Sequence, residues 1–150
     1  MTDEYAIKML IADYFRAYDA HDWVGMRVTL ADELKIDFST PRGGRPALIS
    51  VNPDSFVRQR SNAISSVRMT HEFEVLSMTI DEDVARTTCR FAIKRYADDD
   101  ERHFHSWGEY KFALIRDPRR GWRIRSIAQM TWRTDGDAKL HAVPAGRKIA

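Results

Sequence analysis

The sequence contains very little cysteine, with one thiol, Cys89, in 150 residues. A single cysteine excludes a disulfide within the chain and a zinc site built from cysteines. Its neighbours, TTCRFAI, have the composition of a strand, which predicts a buried structural thiol rather than a nucleophile. No apolar run approaches the roughly 18 residues of a membrane span, and the acidic start MTDEYAIKML is unlike a secretory signal. We therefore expect a cytoplasmic protein that makes no contact with a membrane.

Neither sign of charge dominates, because the formal net charge is only +2. The basic residues are scattered, and their one dense cluster, RDPRRGWRIR at residues 116–125, brackets a predicted turn. Such a cluster is typical of solvated hairpin arginines, so nucleic acid is not a predicted partner.

Several motifs of catalysis and phosphate binding are also missing from the chain, including a Gly-rich phosphate loop, H-E-x-x-H, G-x-S-x-G and C-x-x-C. The PRGGRP segment lacks the strand, helix and lysine of a phosphate cradle and is predicted to be a flexible loop. His103 and His105 form an H-x-H beside DDDE that could hold a metal ion. The strand alternation places both on the outer face, so no metal or other cofactor is predicted.

The chain has the length of one domain, and its 31% charged and 43% hydrophobic residues are ordinary for a globular protein. Apolar spacings of three and four predict an amphipathic helix over Asp3–Asp19. Asp22 is a candidate N-cap for a short helix to about residue 31, a strand is predicted at 33–39, and Pro53 opens a third helix ending near Ser65.

After Val67 the apolar period changes to two. Four long strands with short polar turns are predicted at residues 67–80, 84–96, 103–116 and 122–133. Three helices followed by this meander predict an α+β domain, with a strongly curved, mainly antiparallel sheet around the helices. The domain is predicted to span residues 1–133. Residues 134–150 are predicted to form a tail, either loosely ordered or lying over a pocket.

Alternation along each strand predicts which side chains face inward. The inward sets are Phe104, Ser106, Gly108, Tyr110, Phe112 and Leu114 on one strand, Cys89, Phe91 and Ile93 on another, and Met69, His71, Phe73 and Val75 on the first. After Val75 the apolar positions shift by one, which predicts a β-bulge. The pattern therefore places one imidazole, His71, on an apolar inner face.

Asp19 is unfavourably placed at a helix C-terminus, where the dipole favours basic residues. It could begin a turn with Ala20 and His21, and His71 could be an ordinary core residue. Alternatively, the two explain each other: a carboxylate that accepts the ring N–H orients the imidazole and raises its basicity, as a general base requires. Tyr18 would then add a phenol that donates to a substrate oxygen.

The order of these elements and several short motifs resemble the SnoaL-like branch of the NTF2-like superfamily, and within it the scytalone dehydratases. The stretches that carry the resemblance are AYDAHDW, LKIDFS, PDSFV, RMTHEF, HSWGEY, GWRI and MTW. The resemblance implies a cone-shaped fold, with Asp19 orienting His71 as the general acid/base and Tyr18 anchoring substrate or water. It also shows departures: Phe38 replaces a tyrosine, Ile93 a histidine and Gly108 an asparagine, while a serine is kept as Ser106.

These observations predict a cofactor-independent lyase or isomerase of the dehydratase type, acting on a small apolar or aromatic, cyclic or polyketide-like substrate. The predicted pocket residues are Phe38, Phe73, Phe91, Ile93, Ser106, Gly108, Tyr110 and Met130. The alternative is a non-catalytic module that binds a small molecule or dimerises. Under either hypothesis, outer-face residues such as His105 and Trp107 would carry the contact in a homodimer or homotrimer.

Overall fold

The computed structural model describes residues 1–140 and begins with the predicted amphipathic helix, α1 (Asp3–Asp19). The Thr2 side chain caps it by accepting the Tyr5 N–H, and acidic Asp3 and Glu4 occupy its first turn, where the helix dipole favours them. The apolar side chains that recur at spacings of three and four along this helix are buried, as the sequence predicted.

Two shorter helices follow. In α2 (Trp23–Val28), Asp22 is the N-cap as predicted, and its carboxylate accepts the Gly25 N–H. The helix ends three residues before the predicted position because Leu30 already begins a strand. In α3 (Pro53–Ala63), Asn52 is the N-cap and Pro53 opens the first turn, where its missing N–H costs nothing.

In the described part of the chain, six strands form one mixed sheet in the order β2-β1-β6-β5-β4-β3. Their bounds are β1 Leu30–Thr40, β2 Ile49–Val51, β3 Val67–Asp81, β4 Val84–Ala97, β5 His103–Asp117 and β6 Gly121–Gly136. All neighbours are antiparallel except β1 and β6, which are parallel. The predicted α+β architecture is confirmed. The sequence analysis missed β2, which is three residues long and follows a loop rich in Pro and Gly.

The predicted bulge in β3 is present, because the pairing with β4 shifts register between Val75 and Ser77. The last strand, in contrast, continues to Gly136, beyond the predicted domain end at 133. It is followed by a short 3-10 helix, Ala138–Leu140, whose Leu140 side chain is buried. The rest of the predicted tail, 141–150, lies outside the described residues.

The core lies between the helices and the inner face of the sheet, with α1 packed against β3. Because β3 is the edge strand of the sheet, the C-terminal end of α1 meets a row of backbone N–H groups that no further strand from residues 1–140 covers. Within residues 1–140, no helix combines the length and apolarity that crossing a membrane requires.

Candidate active site

The structure brings Asp19 and His71 together although 52 residues separate them in the chain. The Asp19 Oδ1 lies 2.5 Å from the His71 Nδ1, and Oδ2 accepts the His71 backbone N–H at 2.7 Å. The carboxylate therefore holds both the ring and the strand that carries it. This bidentate role explains why an acidic residue ends α1, where the helix dipole alone would disfavour it.

The hydrogen bond to Asp19 also selects a tautomer of the imidazole. A carboxylate only accepts hydrogen bonds, so Nδ1 carries the proton and Nε2 carries the free lone pair. Within residues 1–140, Nε2 has no hydrogen-bond partner. The arrangement can therefore supply a basic nitrogen of fixed orientation.

Burial and the charge of Asp19 shift the pKa of His71 in opposite directions. The side chain is 1% exposed, and this desolvation lowers the pKa of His71, while the hydrogen bond and negative charge of Asp19 raise it. Desolvation is the larger effect, so the pKa lies below its ordinary value. The neutral imidazole, which is the form a general base needs, therefore predominates at neutral pH.

Aromatic rings from α1 fix the position of the imidazole. The Phe15 ring stacks on it at 4.8 Å between centroids, and the Tyr18 ring lies at 5.0 Å. Tyr18, predicted as an anchor beside the dyad, is buried, and its hydroxyl accepts a hydrogen bond from Arg60 Nη1 at 3.3 Å. The phenol is thus adjacent to the imidazole but already engaged by a cation.

Most predicted pocket residues form rows across the inner face of the sheet. His71 pairs with Ile93, which pairs with Ser106, and Phe73 pairs with Phe91, which pairs with Gly108. In the next row Tyr110 contacts the Phe91 ring at 4.8 Å between centroids. Phe38 approaches from β1, with its ring centroid 6.4 Å from that of Tyr110. These side chains lie on the inner face of the sheet, the face that carries His71.

Met130 is an exception and corrects the predicted pocket. It pairs with Glu109, whose side chain points outward, so Met130 also faces outward. There it lines a surface cavity of about 270 Å³ with Arg42, Gly43 and Gly44. The neighbouring residue Gln129 faces inward instead: it pairs with the inward-facing Tyr110 and is buried.

Gly108 contributes to the site through its backbone alone. A Cβ at this position would lie 1.9 Å from the Met130 carbonyl oxygen, because β6 shifts register there. The glycine is therefore required by close backbone approach at a bulge, which gives a structural reason for the residue that replaces the asparagine of the family pattern.

Two buried arginines in the interior were missed by the sequence analysis. Arg60 and Arg95 are each 4% exposed, and Arg95 Nη1 donates to the Ser106 Oγ at 3.1 Å. The signals were present: Arg95 continues the inward odd positions of β4 after Ile93, and Arg60 follows Phe56 and Val57 at helical spacing. Both were overlooked because they are charged.

The buried phenols of the site remain protonated. Burial is the main cause that raises the pKa of Tyr14 and of Tyr110 well above the usual range. Each can therefore act as a hydrogen-bond donor at any physiological pH. The Tyr14 hydroxyl has no hydrogen-bond partner among residues 1–140.

Concave surfaces on residues 1–140 lie away from Asp19 and His71. One of about 750 Å³ is bordered by β1, β2 and the outer-facing side chains of Arg86 and Arg125. Around the dyad, in contrast, Phe91, Ile93, Ser106 and Tyr110 are each at most 2% exposed. The interior is closely packed, so a ligand would have to displace side chains or enter along the edge of the cone.

On the outer face, His103 Nε2 lies 3.2 Å from Asp135 Oδ2, and the His105 ring lies 4.7 Å from that of His103. Across the part of the chain that the structure describes, no three His, Cys, Asp or Glu side chains are grouped so as to hold a metal ion.

Comparison with known proteins identifies the family. Residues 1–128 match the SnoaL-like domain. The chain therefore belongs to the SnoaL-like domain family, and its fold is NTF2-like. A search of curated proteins gives no match.

Solved structures with the same fold are distant in sequence. The Kfla4162 protein from Kribbella flavida has a TM-score of 0.80 at 21% identity, with 92% of this chain and 95% of that chain covered. A scytalone dehydratase candidate from Novosphingobium aromaticivorans gives 0.76 at 13% identity, covering 97% and 95%. A hexachlorocyclohexane dehydrochlorinase (LinA) of type 2 gives 0.70 at 12% identity, covering 97% and 98%. These similarities establish the fold.

Proposed function

We propose that this protein is a cofactor-independent lyase or isomerase of the dehydratase type, in which His71 is the general base and Asp19 orients it. The observation that carries the proposal is the bidentate contact of the Asp19 carboxylate with the ring Nδ1 and the backbone N–H of His71. It leaves a neutral Nε2, the unprotonated form that a general base needs, in a desolvated, aromatic surrounding.

In the proposed reaction, Nε2 removes a proton from a carbon next to a carbonyl. The C–H electron pair forms a C=C bond, and the carbonyl π electrons move to the oxygen as an enolate. In dehydration the enolate re-forms the carbonyl and expels a hydroxyl from the β-carbon. The imidazolium returns the proton to that hydroxyl, so that water leaves. In isomerisation the same proton returns to a different carbon.

The substrate is proposed to be a hydrophobic cyclic or polyketide-like ketone. The rings of Phe15, Phe91 and Tyr110 supply apolar contact, and family members of this fold include proteins named as dehydratase candidates and as a dehydrochlorinase. Phe38, Ile93 and Gly108 replace polar groups of the scytalone dehydratase pattern. We therefore expect no efficient turnover of scytalone itself.

The test is a screen of hydroxylated cyclic ketones with the full chain, following loss of water by mass spectrometry and double-bond shifts by ultraviolet absorbance. Turnover by the native protein should fall about 10²- to 10⁴-fold in His71→Gln, the range that a general base contributes. His103→Gln, which changes a histidine on the outer face, is the matched control and should retain full activity. Equal turnover in native protein and His71→Gln would exclude the proposed base.

A non-catalytic small-molecule-binding or dimerisation module is the second candidate. The near-complete burial of the His71 ring and of the side chains around it favours this reading. An apolar ligand that stabilises the native protein and the Asp19→Asn variant equally would support it.

A further inference from the structure

Arg95 holds a buried positive charge on the inner face of β4. It is 4% exposed, and this burial lowers the pKa of its guanidinium from the ordinary value. Transfer of an unpaired ion from water into a protein interior costs several kcal/mol, so buried cations normally lie against an acid. A charge in this position requires an explanation.

The described contacts of Arg95 leave most of its donors unused. Nη1 donates to the Ser106 Oγ at 3.1 Å, and the guanidinium carbon lies 5.4 Å from the centre of the Phe104 ring. Within residues 1–140, Arg95 forms no ion pair with a carboxylate. The remaining segment, HAVPAGRKIA, contains no Asp or Glu that could supply one. A guanidinium has five N–H donors in a planar fork, which matches a carboxylate in bidentate geometry.

Arg95 also lies beside the proposed dyad. It pairs with Met69, two residues before His71 on the same face of β3, and His71 itself pairs with Ile93. Diagonal neighbours on one face of a sheet lie about 7–8 Å apart. The positive charge of Arg95 accordingly contributes to lowering the pKa of His71. A small molecule held at Arg95 therefore reaches the imidazole.

A second polar group in the same interior lacks a partner. The Tyr14 hydroxyl is fully buried without a hydrogen bond to any residue from 1 to 140, and its ring lies 6.0 Å from that of Tyr18 between centroids. Burial of a polar group without a partner costs about 1–3 kcal/mol. A ligand with acceptor oxygens would satisfy such a donor.

We propose that Arg95, supported by Ser106, is an anion subsite, and that the ketone bound in the cone also carries a carboxylate on its aromatic or alicyclic body. This inference rests on the proposed function for the location of the site, since it places the carboxylate beside His71. The guanidinium fork binds the carboxylate, and the aromatic rings contact the apolar body of the ligand. The carbon that loses a proton lies between the Arg95 guanidinium and the His71 ring.

The test compares isosteric ligands on the full chain by thermal unfolding and calorimetry at pH 8, where His71 is neutral. The probes are benzoate and cyclohexanecarboxylate against benzamide and cyclohexanecarboxamide. The carboxylates are expected to bind at least tenfold more tightly than the amides. Arg95→Met should remove this preference, whereas Lys94→Met, which removes a positive charge from the adjacent outer position, should retain it.

Equal binding of acid and amide by the native protein would overturn the inference, as would a carboxylate preference that survives in Arg95→Met. Failure of both carboxylates to bind at millimolar concentration would overturn it as well. Should Arg95→Met not fold, the ligand comparison on native protein decides alone. Carboxylate binding that is unchanged in His71→Gln, together with turnover unaffected by that variant, would retain the subsite and refute only the proposed base.

Discussion

Replacement of Asp19 by Asn changes the charge of one group while keeping its shape. The native carboxylate accepts two hydrogen bonds, from the ring Nδ1 and the backbone N–H of His71. Hydrogen bonds to charged groups contribute about 1.5–3 kcal/mol each, and the amide can still accept one of the two. We therefore expect Asp19→Asn to lower the free energy of unfolding by about 2 kcal/mol. Asp13→Asn, on the exposed side of α1, should change it by less than about 0.5 kcal/mol.

The same variant should alter the tautomer and the pH dependence of stability. The amide NH₂ favours donation to Nδ1, which moves the ring proton to Nε2. The pKa of His71 is lower in the folded than in the unfolded protein. The contribution of neutral His71 to the free energy of unfolding is therefore fully present above the unfolded pKa, about 6.5, and is lost as the pH falls through the folded pKa. Without the Asp19 charge the folded pKa of His71 falls further, so in the variant the free energy of unfolding continues to decrease down to a lower pH.

Urea denaturation between pH 5 and 8 measures the free energies, and nitrogen chemical shifts of the imidazole report the tautomer. An Asp19→Asn protein that is as stable as native, with the proton still on Nδ1, would refute the orienting role of the carboxylate.

Three further outcomes follow from the packing. Gly108→Ala should destabilise the fold by several kcal/mol or prevent folding, because its Cβ would lie 1.9 Å from a carbonyl oxygen. The control Gly43→Ala should cost only about 1–2 kcal/mol, for a side chain at positive φ. Chemical denaturation measures both changes in the free energy of unfolding. Burial raises the pKa of the Cys89 thiol to about 12, so a thiol reagent should label it only at the rate of unfolding. Ser106→Ala should lower the unfolding free energy by about 1–3 kcal/mol, measured by the same denaturation, because the buried Arg95 donor loses its acceptor.

The sequence was sufficient to predict most of this fold because its strands are long and alternate clearly. The alternation placed His71 inside, and the helix dipole made Asp19 anomalous; a shared location for the two is the simplest resolution of both. Their pairing across 52 residues, however, depends on α1 ending beside β3, the edge strand of the sheet in residues 1–140, which local patterns do not encode.

The errors have equally specific causes. Met130 was placed in the pocket although β6 shifts register before it, and one extra residue in a strand reverses the face of every side chain beyond it. Arg60 and Arg95 were overlooked because charged side chains are almost never fully buried. Such exceptions to local rules are concentrated at functional sites, and Arg95 is the one that carries the proposed anion subsite.

The most direct test of the central claim is deuterium exchange next to the carbonyl of cyclic ketones in D₂O, followed by NMR in the presence of the native protein and of His71→Gln. Proton abstraction by Nε2 needs no leaving group, so the exchange can be observed before the natural substrate is known. The account predicts protein-catalysed exchange that falls by about 10²- to 10⁴-fold in His71→Gln. Exchange that is equally fast in both proteins would contradict it.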